Sequence, residues 1–133
     1  MRSHLWLAAF PIALLAACGG SGASSDGALQ TASLVVTALA GPVCPVVTDP
    51  PPPECAPRPV ADAVIAVTDA DGMEVGRAPT GPDGKASFDL VPGEAVVIPQ
   101  AVKGLPGTAP RFTVMLIAGQ TLQVTADYDT GIR

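Results

Sequence analysis

The chain has 133 residues, 48% hydrophobic but only 4% aromatic, with seven Lys and Arg against twelve Asp and Glu and a formal net charge of −5. So few and scattered cations exclude the clustered positive charge that nucleic-acid binding requires. The length fits one domain with a small tail, and 14 glycines and 15 prolines point to short elements joined by many turns.

The N-terminal stretch has the layout of an export signal. Arg2 supplies a positive start, and Leu5 to Ala17 supply an apolar run interrupted by Pro11. That run falls short of the roughly 20 apolar residues needed to cross a membrane. It ends in Leu15-Ala16-Ala17-Cys18, which resembles the lipobox of bacterial lipoproteins. The resemblance implies cleavage after Ala17, with diacylglyceryl and palmitate-type acyl chains on Cys18, lipid-anchored to a membrane outside the cytoplasm. Gly19 in place of Asp resembles sorting to the outer membrane in a cell that has two. The alternative is an ordinary secretory signal followed by a chance cysteine. Residues 1–17 are thus expected to be removed, lowering the formal charge of the remainder from −5 to −6 because Arg2 is lost.

Residues 18–31 follow as a linker. Gly19 to Ala28 is almost entirely Gly, Ser and Ala, a composition that behaves as a flexible coil with an r.m.s. span of roughly 17 Å over ten residues. No strand precedes it and no Gly-Lys-Ser follows, so it lacks the context of a phosphate-cradling loop.

A β-sandwich domain is expected over 32–133, its first strand at Ser33–Ala40. From Pro42 to Pro59 the chain carries eight prolines, which removes the backbone donors a strand or helix needs. A polyproline II run at Pro50–Pro53 is expected there. Cys44 and Cys55 are the two cysteines left once Cys18 is lipidated, and in an exported chain such a pair forms a disulfide. The segment 42–59 therefore reads as a Pro-rich, disulfide-closed loop, either a rigid crossover or a recognition loop.

From Val60 short apolar runs alternate with turns. Strands are expected at Ala63–Thr68, Glu74–Ala78, Ala86–Leu90 and Ala95–Ile98, separated by Asp69–Gly72, Thr80–Gly84 and Pro92-Gly93. A looser link, Gln100 to Pro110, leads to Phe112–Ile117 and Thr121–Tyr128, read as a terminal hairpin around Ala118-Gly119-Gln120. Seven strands and no helix give an all-β, antiparallel, Greek-key-type sandwich. Ala63-x-Ile65-x-Val67, Asp71-Gly72, Thr80, Gly84, Ala86-x-Phe88 and Leu90-x-Pro92-Gly93 resemble carboxypeptidase regulatory-like domains of the prealbumin (transthyretin-like) class. Two positions depart from that pattern: Ala95 stands where an aromatic is usual, and Gly81 where an acid is usual.

No catalytic residue emerges. The single histidine, His4, lies in the signal, so no Ser-His-Asp or Cys-His arrangement remains beyond it. Asp69/Asp71 and Asp127/Asp129 sit in turn-like sequence, where aspartates cap local backbone donors; a weak Ca²⁺ site is the alternative. No cofactor or metal is implied. The Lys–Asn cross-link of isopeptide-forming adhesin sandwiches is excluded, because the chain has no asparagine. Two classes of function stay open: a non-catalytic binding or accessory module meeting an envelope protein or wall polymer, and a structural envelope protein without a specific ligand. A carbohydrate-binding or enzyme-associated module is a more distant third.

Overall fold

In this computed structural model the described residues are 30–45 and 48–133; the signal, Cys18 and nearly all of the linker lie outside them. Among the described residues there are eight strands: β1 (Ala32–Gly41), β2 (Arg58–Pro59), β3 (Val64–Asp69), β4 (Glu74–Pro79), β5 (Lys85–Leu90), β6 (Gly93–Pro99), β7 (Phe112–Leu116) and β8 (Thr121–Asp129). They form two packed sheets, an all-β sandwich. In one sheet β1 is flanked by β8 on one side and by β5 and β2 on the other; the second runs β4-β3-β6-β7.

The alternation of apolar and polar residues determines which side chains enter the core. Along β1, Ala32, Leu34, Val36, Ala38 and Ala40 are all buried, and the residues between them are not. Ile65, Val67 and Val97 answer them from the opposite sheet, with Phe88, Leu90, Leu116 and Tyr128 closing the layer. Thr80 is the one buried polar side chain among the described residues. Its hydroxyl accepts from the Ala63 N–H at 2.9 Å and donates to the Val60 carbonyl. That pairing satisfies a loop backbone that would otherwise be stranded inside.

Three expectations need correction. The last two strands do not form a hairpin. β7 pairs with β6 in one sheet, while β8 crosses to the other and pairs with β1 in parallel over Ser33↔Thr121 to Gly41↔Asp129. All the other pairings are antiparallel. Alternation marks which face is buried and is silent on the neighbouring strand, so the two outcomes have the same sequence pattern. Gly119, at φ +73°, turns the chain across, and its N–H donates to the Thr31 carbonyl rather than into a hairpin.

The Pro-rich segment is also more structured than proline content suggests. Arg58–Pro59 adds two residues to the edge of β1 opposite Ala40 and Leu39, a place where proline is tolerated because one side needs no donor. Finally, the extended conformation reaches Pro52, and Pro53–Cys55 closes as a single 3-10 turn. There the Cys55 N–H bonds to the Pro52 carbonyl at 2.9 Å and the Ala56 N–H to that of Pro53 at 3.2 Å.

Candidate functional site

The direction of β1 divides the sandwich into two ends. At its start, Ala32 lies opposite Leu90, and the Ser33 hydroxyl donates to the Asp89 carboxylate at 2.9 Å. The linker enters here. At its finish, Gly41 lies opposite Asp129 and leads into the Pro-rich loop. Ten strand residues separate the two ends by about 33 Å.

At the far end Cys44 and Cys55 are joined by a disulfide, with Cα atoms 5.3 Å apart. The base of the loop is pinned: Thr130 donates its hydroxyl to the Pro42 carbonyl, and Pro57 packs within 3.7 Å of where a Cβ on Gly41 would stand. Beyond the base the loop is open to solvent, with Asp49, Pro50, Pro51, Pro53 and Glu54 all exposed. This loop and the Gln100–Pro110 link are the two long connections between strands. The structure separates them. Ala109 is buried in the core, Val102 and Leu105 pack against it, and Gly107 lies against Asp129. The link also holds the buried Tyr128, whose hydroxyl donates to the Gln100 carbonyl at 2.8 Å. Ala109, Val102 and Leu105 thus anchor the link to the core, although Ala101, Lys103, Pro106, Thr108 and Pro110 remain exposed, whereas no residue from Asp49 to Glu54 in the disulfide loop is buried.

The aspartate pairs act locally. The Asp69 carboxylate accepts the N–H groups of Asp71 and Met73, both at 2.9 Å, which closes the β3–β4 turn. Asp129 binds the Arg133 guanidinium at 2.8 Å and accepts the Gly131 N–H at 2.8 Å. Those bonds hold its carboxyl down at about 2. Among the described residues no group of three or more His, Cys, Asp or Glu could hold a metal ion.

Sequence reasoning missed a cleft of about 470 Å³ at the linker end, where Val75, Val91, Pro92 and Leu116 form apolar walls beside Asp89 and Glu94. Two of its wall residues, Val75 and Val91, are 45% and 71% exposed, but they come from separate stretches of sequence that only the fold brings together. The turn containing Val91 and Pro92 is therefore less generic than its Pro-Gly sequence suggests.

The sandwich has the fold of pilin domains. The minor pilin GBS52 of Streptococcus agalactiae is similar over 77% of this chain and 45% of its own, with 15% identity and a TM-score of 0.59. The shaft pilin SpaA of Lactobacillus rhamnosus GG is similar over 76% of this chain and 52% of its own, with 10% identity and a TM-score of 0.60. For the TIE protein of Bacillus anthracis the shares are 76% and 17%, at 16% identity and a TM-score of 0.58. The chain thus spans about half, or less, of each of these structures. No protein-family model and no curated protein matches the sequence.

Proposed function

We propose that this is a lipid-anchored lipoprotein of the bacterial cell envelope, facing outside the cytoplasm, whose prealbumin-like sandwich is a non-catalytic binding or accessory module. Cys18 carries the anchor, and the exposed Cys44–Cys55 loop meets an envelope protein or a wall polymer. The observation that supports this reading most is the placement of the two ends of β1. The linker joins one end, and the loop leaves from the other. The loop thus leaves the end of β1 opposite the attachment point, while proline and the disulfide lower the entropy lost when a partner orders it. Likeness to pilin subunits supports a domain that works by contact rather than by chemistry.

Fractionation of cells tests the anchor. Cys18→Ser is expected to move the protein out of the membrane pellet, because two or three acyl chains, at about 0.8 kcal/mol per buried CH₂, provide the anchoring that one cannot. A serine variant that pellets as fully as wild type overturns it. Crosslinking in intact cells, followed by recovery of the chain, reads the partner.

A further inference from the structure

The open edge of β8 is the longest unpaired strand edge among the described residues. β4 and β5 have six residues and β7 has five, whereas β8 has nine. β4 is blunted by a bulge opposite Val67/Thr68 and by Pro79, and β5 carries Lys85 and Asp89 near its ends. Strands at sheet edges are usually protected in such ways against pairing with another chain. β8 contains no Pro, Gly, Lys or Arg, and its register with β1 runs without a break from Thr121 to Asp129.

The parity of its hydrogen bonds shows which groups are free. Ser33 N–H donates to the Gln120 carbonyl, and Thr130 N–H donates to the Gly41 carbonyl. In a parallel ladder with those end points, Leu122, Val124, Ala126 and Tyr128 turn their main-chain groups to β1. Thr121, Gln123, Thr125 and Asp127 turn theirs to the open side. The free row stops there, because the 100–111 link closes over the next position: a Cβ on Gly107 would stand 2.8 Å from the Asp129 Cβ.

We infer that this edge pairs with β8 of a second copy, antiparallel, about a two-fold axis at Val124. In that register Thr121 faces Asp127 of the second copy and Gln123 faces its Thr125. All four free residues then exchange main-chain bonds, about eight in total. Charge favours the match, since the edge's acidic residues fall at opposite ends of the pair and each Asp127 meets a threonine instead of another carboxylate. The core face is completed at the same time. Ala126 and Tyr128 are each 1% exposed, but Leu122 and Val124, on the same face, are only half-buried. The pairing sets Val124 against Val124 and Leu122 against Ala126, covering what the single sandwich leaves open. The contact is isologous and therefore closes as a dimer instead of growing into a fibre. It is independent of the lipid on Cys18. The two linkers leave from opposite ends, so an anchored pair lies with its strands along the membrane.

Val124→Cys in the full-length chain, with wild type as background, tests the register. A non-hydrogen-bonded antiparallel pair has Cα atoms about 4.5 Å apart, within disulfide range. A dimer band on a non-reducing gel is expected at least tenfold above wild type. Thr125→Pro removes one free donor and leaves the bonds to β1 intact, so it is expected to return the band of the double variant to background with the melting temperature nearly kept. Should that proline disturb the fold, Gln123→Lys with Thr125→Lys places lysines opposite lysines on an unaltered backbone and carries the same expectation. Three results would overturn the pairing: a Val124→Cys band no stronger than wild type, a band that survives the paired lysines, or a Thr125→Cys chain that crosslinks with itself more strongly than Val124→Cys.

Discussion

The hydroxyl of Tyr128 reaches the main-chain carbonyl of Gln100 at 2.8 Å, joining the last strand of one sheet to the end of β6 in the other. Tyr128 is the only tyrosine in the chain and is almost wholly buried. Its phenol therefore fills the core while its polar tip satisfies a carbonyl at the point where the 100–111 link begins.

Tyr128→Phe is expected to cost about 1 kcal/mol, since the ring stays and one buried hydrogen bond is lost. Burial also raises the phenol's pKa above its ordinary value of 10.0. A raised folded-state pKa contributes stability that is fully present below pH 10 and is lost as pH rises through the folded value. Denaturant melts above pH 10 check this. Wild type should lose stability with rising pH, and the phenylalanine variant should lose less. Phenolate absorbance reports the single tyrosine directly.

Gly76 sits beneath Phe88. A Cβ there would stand 2.8 Å from the Phe88 Cδ1 atom and 3.6 Å from the Leu90 Cδ2 atom. Gly76→Ala is therefore expected to destabilise by about 1–3 kcal/mol through overpacking, although alanine suits a strand better than glycine. Phe88→Leu in the same chain should relieve part of that cost. Strict additivity in a double-mutant cycle would show that the contact is not the cause.

Asp129 should titrate at about 2, well below its ordinary 3.8, chiefly because Arg133 hydrogen-bonds to it and then because the Gly131 N–H does. For a depressed carboxyl the contribution is present above the unfolded value and is lost as pH falls through the folded one, here between about 3.8 and 2. Arg133→Ala is expected to raise the midpoint in a carboxyl NMR titration without restoring the ordinary value, because the Gly131 bond remains. The pair is exposed to solvent, so the melting temperature at neutral pH should barely move.

The strands of this fold were legible because each one sorts its residues by face. Seven expected strands appear within two residues of their expected limits, and Ala86-Ser87-Phe88-Asp89-Leu90 alternates in burial as its sequence implies. Partners were harder to read than faces. Val124, Ala126 and Tyr128 would point into a core whether β8 returned beside β7 or crossed to β1, and only the three-dimensional path of Gly119 decides between them. The cleft was hidden for a different reason. It forms where Val75 of β4, Val91 of a turn and Leu116 of β7 converge, and no window of sequence contains all three. Cysteine pairing, by contrast, needed only counting, and Cys44 and Cys55 are bonded.

The Cys44–Cys55 loop divides into a base and a tip with different expected roles. Its base is tied to the sandwich by Thr130 at Pro42 and by Pro57 at Gly41. Opening the bridge with Cys44→Ser and Cys55→Ser should therefore cost roughly 3 kcal/mol, the chain-entropy value for a loop of this length. The tip, Asp49 to Glu54, takes no part in those ties; among the described residues its side-chain bond is the one from the Thr48 hydroxyl to the Pro50 carbonyl at 3.2 Å. Replacing Asp49, Pro50 to Pro53 and Glu54 with a Gly/Ser run, both cysteines kept, separates recognition from stapling. A recognition tip predicts that crosslinks to the partner in intact cells disappear while the melting temperature is nearly kept. A tip that merely stiffens the crossover predicts a lower melting temperature with crosslinks intact in the folded fraction. The exposure of the tip favours the first outcome. If neither crosslinks nor melting temperature change, the tip has neither role, and the outward-facing cleft between Val75 and Val91 becomes the surface to vary next.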